Sequence, residues 1–181
     1  PDVEFTVTRD QTALLDYSIG NLTDNIMVGM LLACVIIFLF MRDLRSPLLV
    51  ILTIPVTLVA SLSVFYCLGM SINIISLSGL ILGTGMMVDN SIIVVDNIAA
   101  RRNRGSLLTD AVAEGTREVV MPMLSSILTT CAVFVPLIFI NGMAGALFYD
   151  QAVAVAVTLF VSFGVAVLLL PVYYRLLYRS Q

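Results

Sequence analysis

Two carboxylates and an amide occupy positions in this sequence where polar groups are costly. Asp89 lies inside the mostly apolar stretch from Ile72 to Ile98, Asn90 follows it directly, and Asp96 comes seven residues after Asp89. If the stretch is helical, seven residues are two turns, so Asp96 shares a face with Asp89. An acidic side chain at the centre of a membrane-crossing helix costs on the order of 2.5–3.5 kcal/mol on insertion scales. Such a charge becomes tolerable by binding a proton or by pairing. A row of protonatable groups along one helix face is what a proton path needs, and carboxylates at this depth mark ion pathways. The competing reading is structural: a polar contact between helices at Asp89, and an interfacial carboxylate beside Arg101 or Arg102 at Asp96. The sequence has no lysine or histidine, and all nine arginines lie outside the long apolar runs. A cation at the depth of Asp89 therefore has to come from outside these residues.

A second polar patch, Ser125, Ser126, Thr129 and Thr130, sits in another apolar run. Its hydroxyls have two uses, to hydrogen-bond a carboxyl on a facing helix or to bond back to their own helix backbone. Gly79, Gly83 and Gly85 precede Asp89, and the four-residue spacing of the first two lets helices approach closely. The expected use is to bring a facing helix near Asp89. Cys34, Cys67 and Cys131 fall in apolar runs with no metal-ligand spacing, so neither a disulfide nor a metal site is expected. No cofactor and no nucleic-acid partner is expected either.

The elements that must hold these groups are set by composition. Apolar residues make up 60% of the chain and charged ones 12%, proportions foreign to a soluble domain. Several runs approach the roughly 20 residues needed to cross a hydrocarbon core about 30 Å thick. The chain opens on a polar stretch and the apolar runs recur to its end, so a signal peptide does not account for them. The expected fold is an all-α integral membrane bundle of five transmembrane helices, at 22–41, 46–68, 72–98, 119–140 and 151–174. Val3, Phe5 and Val7 alternate with polar residues as in a half-buried strand, so residues 1–10 read as the end of a missing domain. Residues 11–25 read as an amphipathic lead-in helix. Residues 99–118 read as an amphipathic surface helix capped by Ser106, NGMAGALFYD as a Gly-rich loop, and residues 175–181 as a tail.

Arginine placement orients the bundle, because basic residues beside spans remain on the cytoplasmic side. Arg42 and Arg45, then Arg101, Arg102, Arg104 and Arg117, then Arg175 and Arg179 fall on one side in a five-span count, with only Arg9 opposite. The N-terminus is expected outside and the C-terminus inside.

The stretch GMSINIISLSGLILGTGMMVDNSIIVVDNI closely resembles the fourth transmembrane helix of resistance-nodulation-division (RND) exporters, with its small residues, Val-Asp-Asn, and an acid with Asn seven residues on. The resemblance continues through EVVMP and AVFVPLIFINGMAGALF to Pro171, and backward through FMRDLRSPLLVILTIPVTL, covering the whole chain. It implies that the five spans match helices two to six of a twelve-helix subunit. Asp89 then matches the first acid of the proton relay, with Asn90 beside it, and Asp96 the acid at the cytoplasmic end of that helix. It further implies proton/substrate antiport of hydrophobic or amphiphilic compounds across the bacterial inner membrane. The implied partners are membrane lipid, protons, the rest of the subunit with its porter domains and essential lysine, and a homotrimer with a periplasmic adaptor and outer-membrane channel. Asn90 departs from the pattern, since many multidrug members have a second aspartate there. An amide hydrogen-bonds but does not bind a proton at physiological pH.

Two other classes compete. An intramembrane aspartyl protease needs two carboxylates that meet across helices to share a proton, whereas Asp89 and Asp96 share one helix. A passive channel favours a polar or carbonyl-lined pore over one lone acid. The exporter reading commits to a sidedness: the loop around Gly142 faces the periplasm, and Arg42 and Arg101 to Arg104 face the cytoplasm. In a cysteine-free background, a Ser106→Cys probe should stay unlabelled by an impermeant thiol reagent added outside. Labelling from outside would reverse the topology.

Overall fold

A computed structural model describes residues 12–41, 45–139 and 142–178. Five helices follow one another: α1 (Thr12–Met41), α2 (Arg45–Cys67), α3 (Ile74–Asn103), α4 (Leu108–Ile138) and α5 (Met143–Tyr178). Among the described residues there is no strand, and the one expected at Val3 to Val7 lies outside them. Helices α2 to α5 each contain a stretch long and apolar enough to cross a membrane. Helix α1 is 30 residues long and carries the apolar run from Ile26 to Met41.

The lead-in residues run into the first apolar run as one helix, α1. Other helix boundaries depart from the sequence expectation. The third span starts at Ile74 rather than Ile72 because Asn73 caps it: its Oδ1 accepts from the backbone N–H groups of Ile75 and Ser76, and Ser76 Oγ accepts from the Asn73 N–H. This reciprocal arrangement satisfies helix-end donors that would otherwise lack partners. The same helix runs on to Asn103, beyond the expected end at Ile98.

The expected surface helix is not separate. Residues 99–103 complete α3, and residues 108–118 continue without a break into the fourth span. Ser106 does not start a helix but finishes one. Gly105 takes a positive φ of 93°, its N–H bonds Arg102 O, and the Ser106 N–H bonds Arg101 O, the paired closure of a Schellman motif. Gly69, at φ 68°, closes α2 in the same way, with its own N–H on Tyr66 O and that of Met70 on Phe65 O. The expected Gly-rich loop is mostly helix, since α5 begins at Met143. The turn before it uses Gly142, at φ 89°.

Helix α3 is the centre of the bundle, touching each of the other four, while among the described residues α1 makes no contact with α4 or α5. Its most extensive partner is α5. A Cβ placed on Gly79 would come within 2.7 Å of Ala154 Cβ and 2.8 Å of Gln151 O, and one on Gly83 within 2.7 Å of Thr158 Cβ. The two backbones are therefore as near as glycine allows. Ala154, Thr158 and Ser162 supply the facing row on α5 at four-residue spacing, and all three are buried. On another flank, Thr53 Oγ1 of α2 lies 3.2 Å from Ser91 Oγ.

One end of the bundle is tied by aromatic and cationic groups. Tyr174 and Tyr178 of α5 stack with ring centroids 4.5 Å apart. The guanidinium carbons of Arg102 and Arg45 lie 4.5 Å and 5.6 Å from the Tyr178 ring centroid. Ser46 Oγ is 3.4 Å from the Tyr178 hydroxyl oxygen. The start of α2 and the ends of α3 and α5 thus meet, so arginines from all three regions share one end.

The glycine contacts make a measurable distinction. Gly83→Ala forces its methyl into Thr158 and should lower stability by about 1–3 kcal/mol in thermal unfolding of the chain in detergent micelles. Gly164→Ala, inside α5 with an added Cβ that meets nothing within 4 Å, should not lower it and should raise it by up to about 1 kcal/mol through helix propensity.

Candidate functional site

Asp89 stands at the midpoint of α3, about 20 Å from either end at 1.5 Å per residue. Its neighbours in sequence divide between two faces. Gly79, Gly83, Met87, Asn90, Ser91 and Val94 are buried, whereas Leu82, Gly85, Asp89, Ile93 and Asp96 form a stripe that the other helices leave exposed. Successive residues on an α-helix are about 100° apart, so placing Asn90 against α5 turns Asp89 away from it. Asp89 and Asp96 do share a face, and it is the uncovered one. Among the described residues, no hydrogen bond or ion pair reaches the Asp89 carboxylate.

Two cavities flank it. The first, about 390 Å³, lies toward α1 and is lined by Asn25, Gly29, Thr84, Gly85 and Asp89 among others. The second, about 340 Å³, lies toward α4 and is lined by Asp89, Asn90, Pro122, Ser126 and Thr130 among others. Because α1 and α4 do not touch among the described residues, the stripe of α3 between them stays exposed. That face has room for a further element.

Asn90 is occupied elsewhere. Its Nδ2 donates to Ser162 Oγ at 3.1 Å, and that hydroxyl donates to Met87 O at 3.3 Å. Asn90 and Ser162 are 7% and 2% exposed. This is a helix-to-helix lock of a kind that costs nothing in charge burial.

The remaining expected residues separate. Thr129 Oγ1 donates to Ser125 O at 2.8 Å and Thr130 Oγ1 to Ser126 O at 3.0 Å, so both hydroxyls are spent on their own helix. Ser126 and Thr130 nevertheless share the second cavity with Asp89, while Ser125 and Thr129 do not line it. Gly79 and Gly83 admit α5, not a helix facing Asp89. Gly85 lies beside Asp89 on the open stripe, and a Cβ there meets nothing within 4 Å.

Arg101 does not turn to Asp96. It reaches across to α4, where Nε and a terminal nitrogen grip both oxygens of Glu118, with 2.9 Å for the Nε bond, and the other terminal nitrogen meets Glu114. Asn97 Nδ2 joins the group, donating to Gly115 O at 2.7 Å and Glu118 Oε2 at 3.0 Å. A Cβ on Gly115 would come within 3.0 Å of Ile98 Cα, so glycine is what lets α4 come near enough for these bonds. Nothing in the sequence expectation pointed to this cluster. Its signal was present as two pairs at four-residue spacing, Asn97 with Arg101 and Glu114 with Glu118.

The cluster lies outside the expected spans 72–98 and 119–140 at its charged positions. The hydrogen bond from Arg101, then that from Asn97, holds the Glu118 carboxyl at about 2 against an ordinary 4.5. The same bond to Glu118 raises Arg101 above its ordinary value. A depressed carboxyl favours the folded form above its unfolded value and loses that contribution as pH falls through its folded one. The contact is therefore whole above about pH 4.5 and weakens toward about pH 2.

Comparison with known proteins agrees with the geometry. The sequence pattern of the AcrB/AcrD/AcrF family matches residues 1–181. The multidrug resistance protein MdtC of Pectobacterium atrosepticum is 30% identical over 179 residues, which cover 99% of this chain and 17% of that protein. MdtC of Escherichia coli O139:H28 is 31% identical over 169 residues, covering 93% and 16%. MdtC of Photorhabdus laumondii is 31% identical over 179 residues, covering 99% and 17%. The chain thus spans about a sixth of the length of these relatives, and it belongs to the AcrB/AcrD/AcrF family of RND multidrug efflux transporters.

Proposed function

We propose that this chain supplies the proton-binding helix of a proton-driven exporter, an antiporter of hydrophobic or amphiphilic compounds in the bacterial inner membrane. The observation that carries the reading is the placement of Asp89. It stands mid-helix, turned from the helix's main partner and exposed on a stripe between two cavities. A structural carboxylate would be expected to bond a neighbouring helix, as Asn90 does. An uncovered one is placed to gain and lose a proton while a separate element engages or releases it.

In this reading α1 is a fifth span, the N-terminus is periplasmic, and the arginine-bearing end is cytoplasmic. The cation that answers Asp89 belongs to another part of a longer subunit, which works as a trimer with an adaptor and an outer-membrane channel. The family resemblance supports these partners. Asp89 is then the one titrating group at mid-membrane on α3, and Asn90 is an anchor. Asp96, two turns along the same stripe, is the next carboxylate toward the cytoplasmic end. Protease chemistry is disfavoured, because the two carboxylates are about 10 Å apart along a single helix.

Asp89→Asn in the full-length parent should abolish proton-coupled export in everted vesicles while leaving the protein level unchanged. Asn90→Ala removes the bond to Ser162 but no titratable group, so the export that remains should keep its dependence on the proton gradient. Export at the parent rate by Asp89→Asn would make that carboxylate structural.

A further inference from the structure

The cluster of Asn97, Arg101, Glu114 and Glu118 has no part in binding a proton, yet it joins the helix that carries Asp89 to the helix that walls its second cavity. Exposed ion pairs ordinarily contribute little, and Glu114 and Glu118 are 62% and 50% exposed. Three features set this one apart. The grip on Glu118 is two-pronged, a geometry that fixes direction as well as distance. It is joined by Asn97, whose amide bonds both the Glu118 carboxylate and the Gly115 backbone. It also sits over a close backbone approach, Gly115 on Ile98, where an added Cβ would press within 3.0 Å of Ile98 Cα.

The course of α4 beyond the cluster gives this grip its importance. Pro122 lies inside the helix and has no N–H, so the carbonyl four residues before it, that of Glu118, loses its helical donor. The last gripped residue is therefore a place where the helix is weakened, as it is again before Pro136. Before it, Ala111, Val112, Gly115 and Thr116 are buried. Beyond it, only Met123 and Ile127 are fully buried up to Pro136, while Met121, Leu128, Val133 and Val135 are 48–69% exposed. Pro122, Ser126 and Thr130 line the cavity at Asp89.

We infer that Arg101 is a positioning residue for Asp89: through Glu114 and Glu118 it fastens the first part of α4 to α3, so that α4 can move only beyond Pro122, where movement changes the cavity beside Asp89. The inference rests on the reading of Asp89 as the proton site. It assigns Arg101 no contact with the proton.

The test uses the full-length parent in vesicles, with spin labels at two pairs of positions. Asn103→Cys with Ala113→Cys, both exposed, spans the grip, and Ile93→Cys with Ser126→Cys spans the cavity. With and without an imposed proton gradient, the first distance should hold and the second should change. In Arg101→Ala the first distance should broaden, and export should fall by up to about a hundredfold, the loss that displacement of a reacting group by about 1 Å can cause. The midpoint of export against pH should also move by more than about half a unit, since the surroundings of the proton site are altered. Glu118 remains ionised from pH 5 to 8 beside Arg101, Arg104, Asn97 and Glu114, so such a movement does not come from titration of the grip itself.

The conservative Arg101→Lys, which keeps the charge facing Glu114 and Glu118 but not the two-pronged grip, should restore part of both the distance and the midpoint. If Arg101→Ala is not produced, Glu118→Gln tests the same grip with almost no change in side-chain size. A lower protein level with an unmoved midpoint would overturn the inference, as would a first distance that changes with the gradient in the parent. Retained export by Asp89→Asn would instead remove the proton-site reading, and the two distances would still decide whether α4 moves only beyond Pro122.

Discussion

The arrangement depends on how closely α3 and α5 approach. Where Gly79 and Gly83 meet Ala154 and Thr158, a single added methyl has no space, and this fixes the rotation of α3 about its own axis. Helices in lipid gain little from hiding apolar surface, so small residues that permit backbone contact and a few hydrogen bonds do the joining. Asn90 on Ser162 extends the seam by two further turns. Once that face is committed to α5, the helical period leaves Asp89 and Asp96 pointing elsewhere. The exposure of the carboxylates is thus a by-product of packing on the opposite flank.

This explains why adjacent residues in a short motif have different parts to play. Asp89 and Asn90 look like a pair in sequence, and a reading by spacing alone groups them. On a helix they are about 100° apart, which is enough to put one in a seam and the other on an open stripe. The amide suits the seam because it donates and accepts without a charge to bury. The carboxylate suits the stripe, where a proton or a cation can reach it.

Much of the architecture is legible in the residues. The apolar runs mark the helices, and the two-turn spacing gives the common face of Asp89 and Asp96. The departures lie at ends and seams. Ser106 has the chemistry of an N-cap, but Gly105 before it offers a left-handed closure that the backbone takes instead. The serines and threonines of α4 have two uses open, and Thr129 and Thr130 take the local one, since a carbonyl four residues back is always within reach. Gly79 and Gly83 do signal close approach, but to a different neighbour than expected, because spacing on one helix does not name its partner. The matching row at Ala154, Thr158 and Ser162 holds that information. The Arg101 cluster is hidden for a related reason: arginines near a span first suggest sidedness, and only the fold brings Glu114 and Glu118 beneath one of them.

If Asp89 is the proton site, as proposed, the amide at Asn90 also sets a limit on work. An elementary charge crossing the membrane yields about 2.3 kcal/mol for each 100 mV. At about 1.4 kcal/mol per factor of ten, that sustains a concentration ratio of roughly fifty for a neutral cargo moved once per charge. A second carboxylate beside Asp89 would square that ratio. With the neighbouring position given over to holding α5, the drive that the proposed role delivers through α3 at mid-membrane would be that of a single proton. Any steeper gradient must draw on groups carried by other helices.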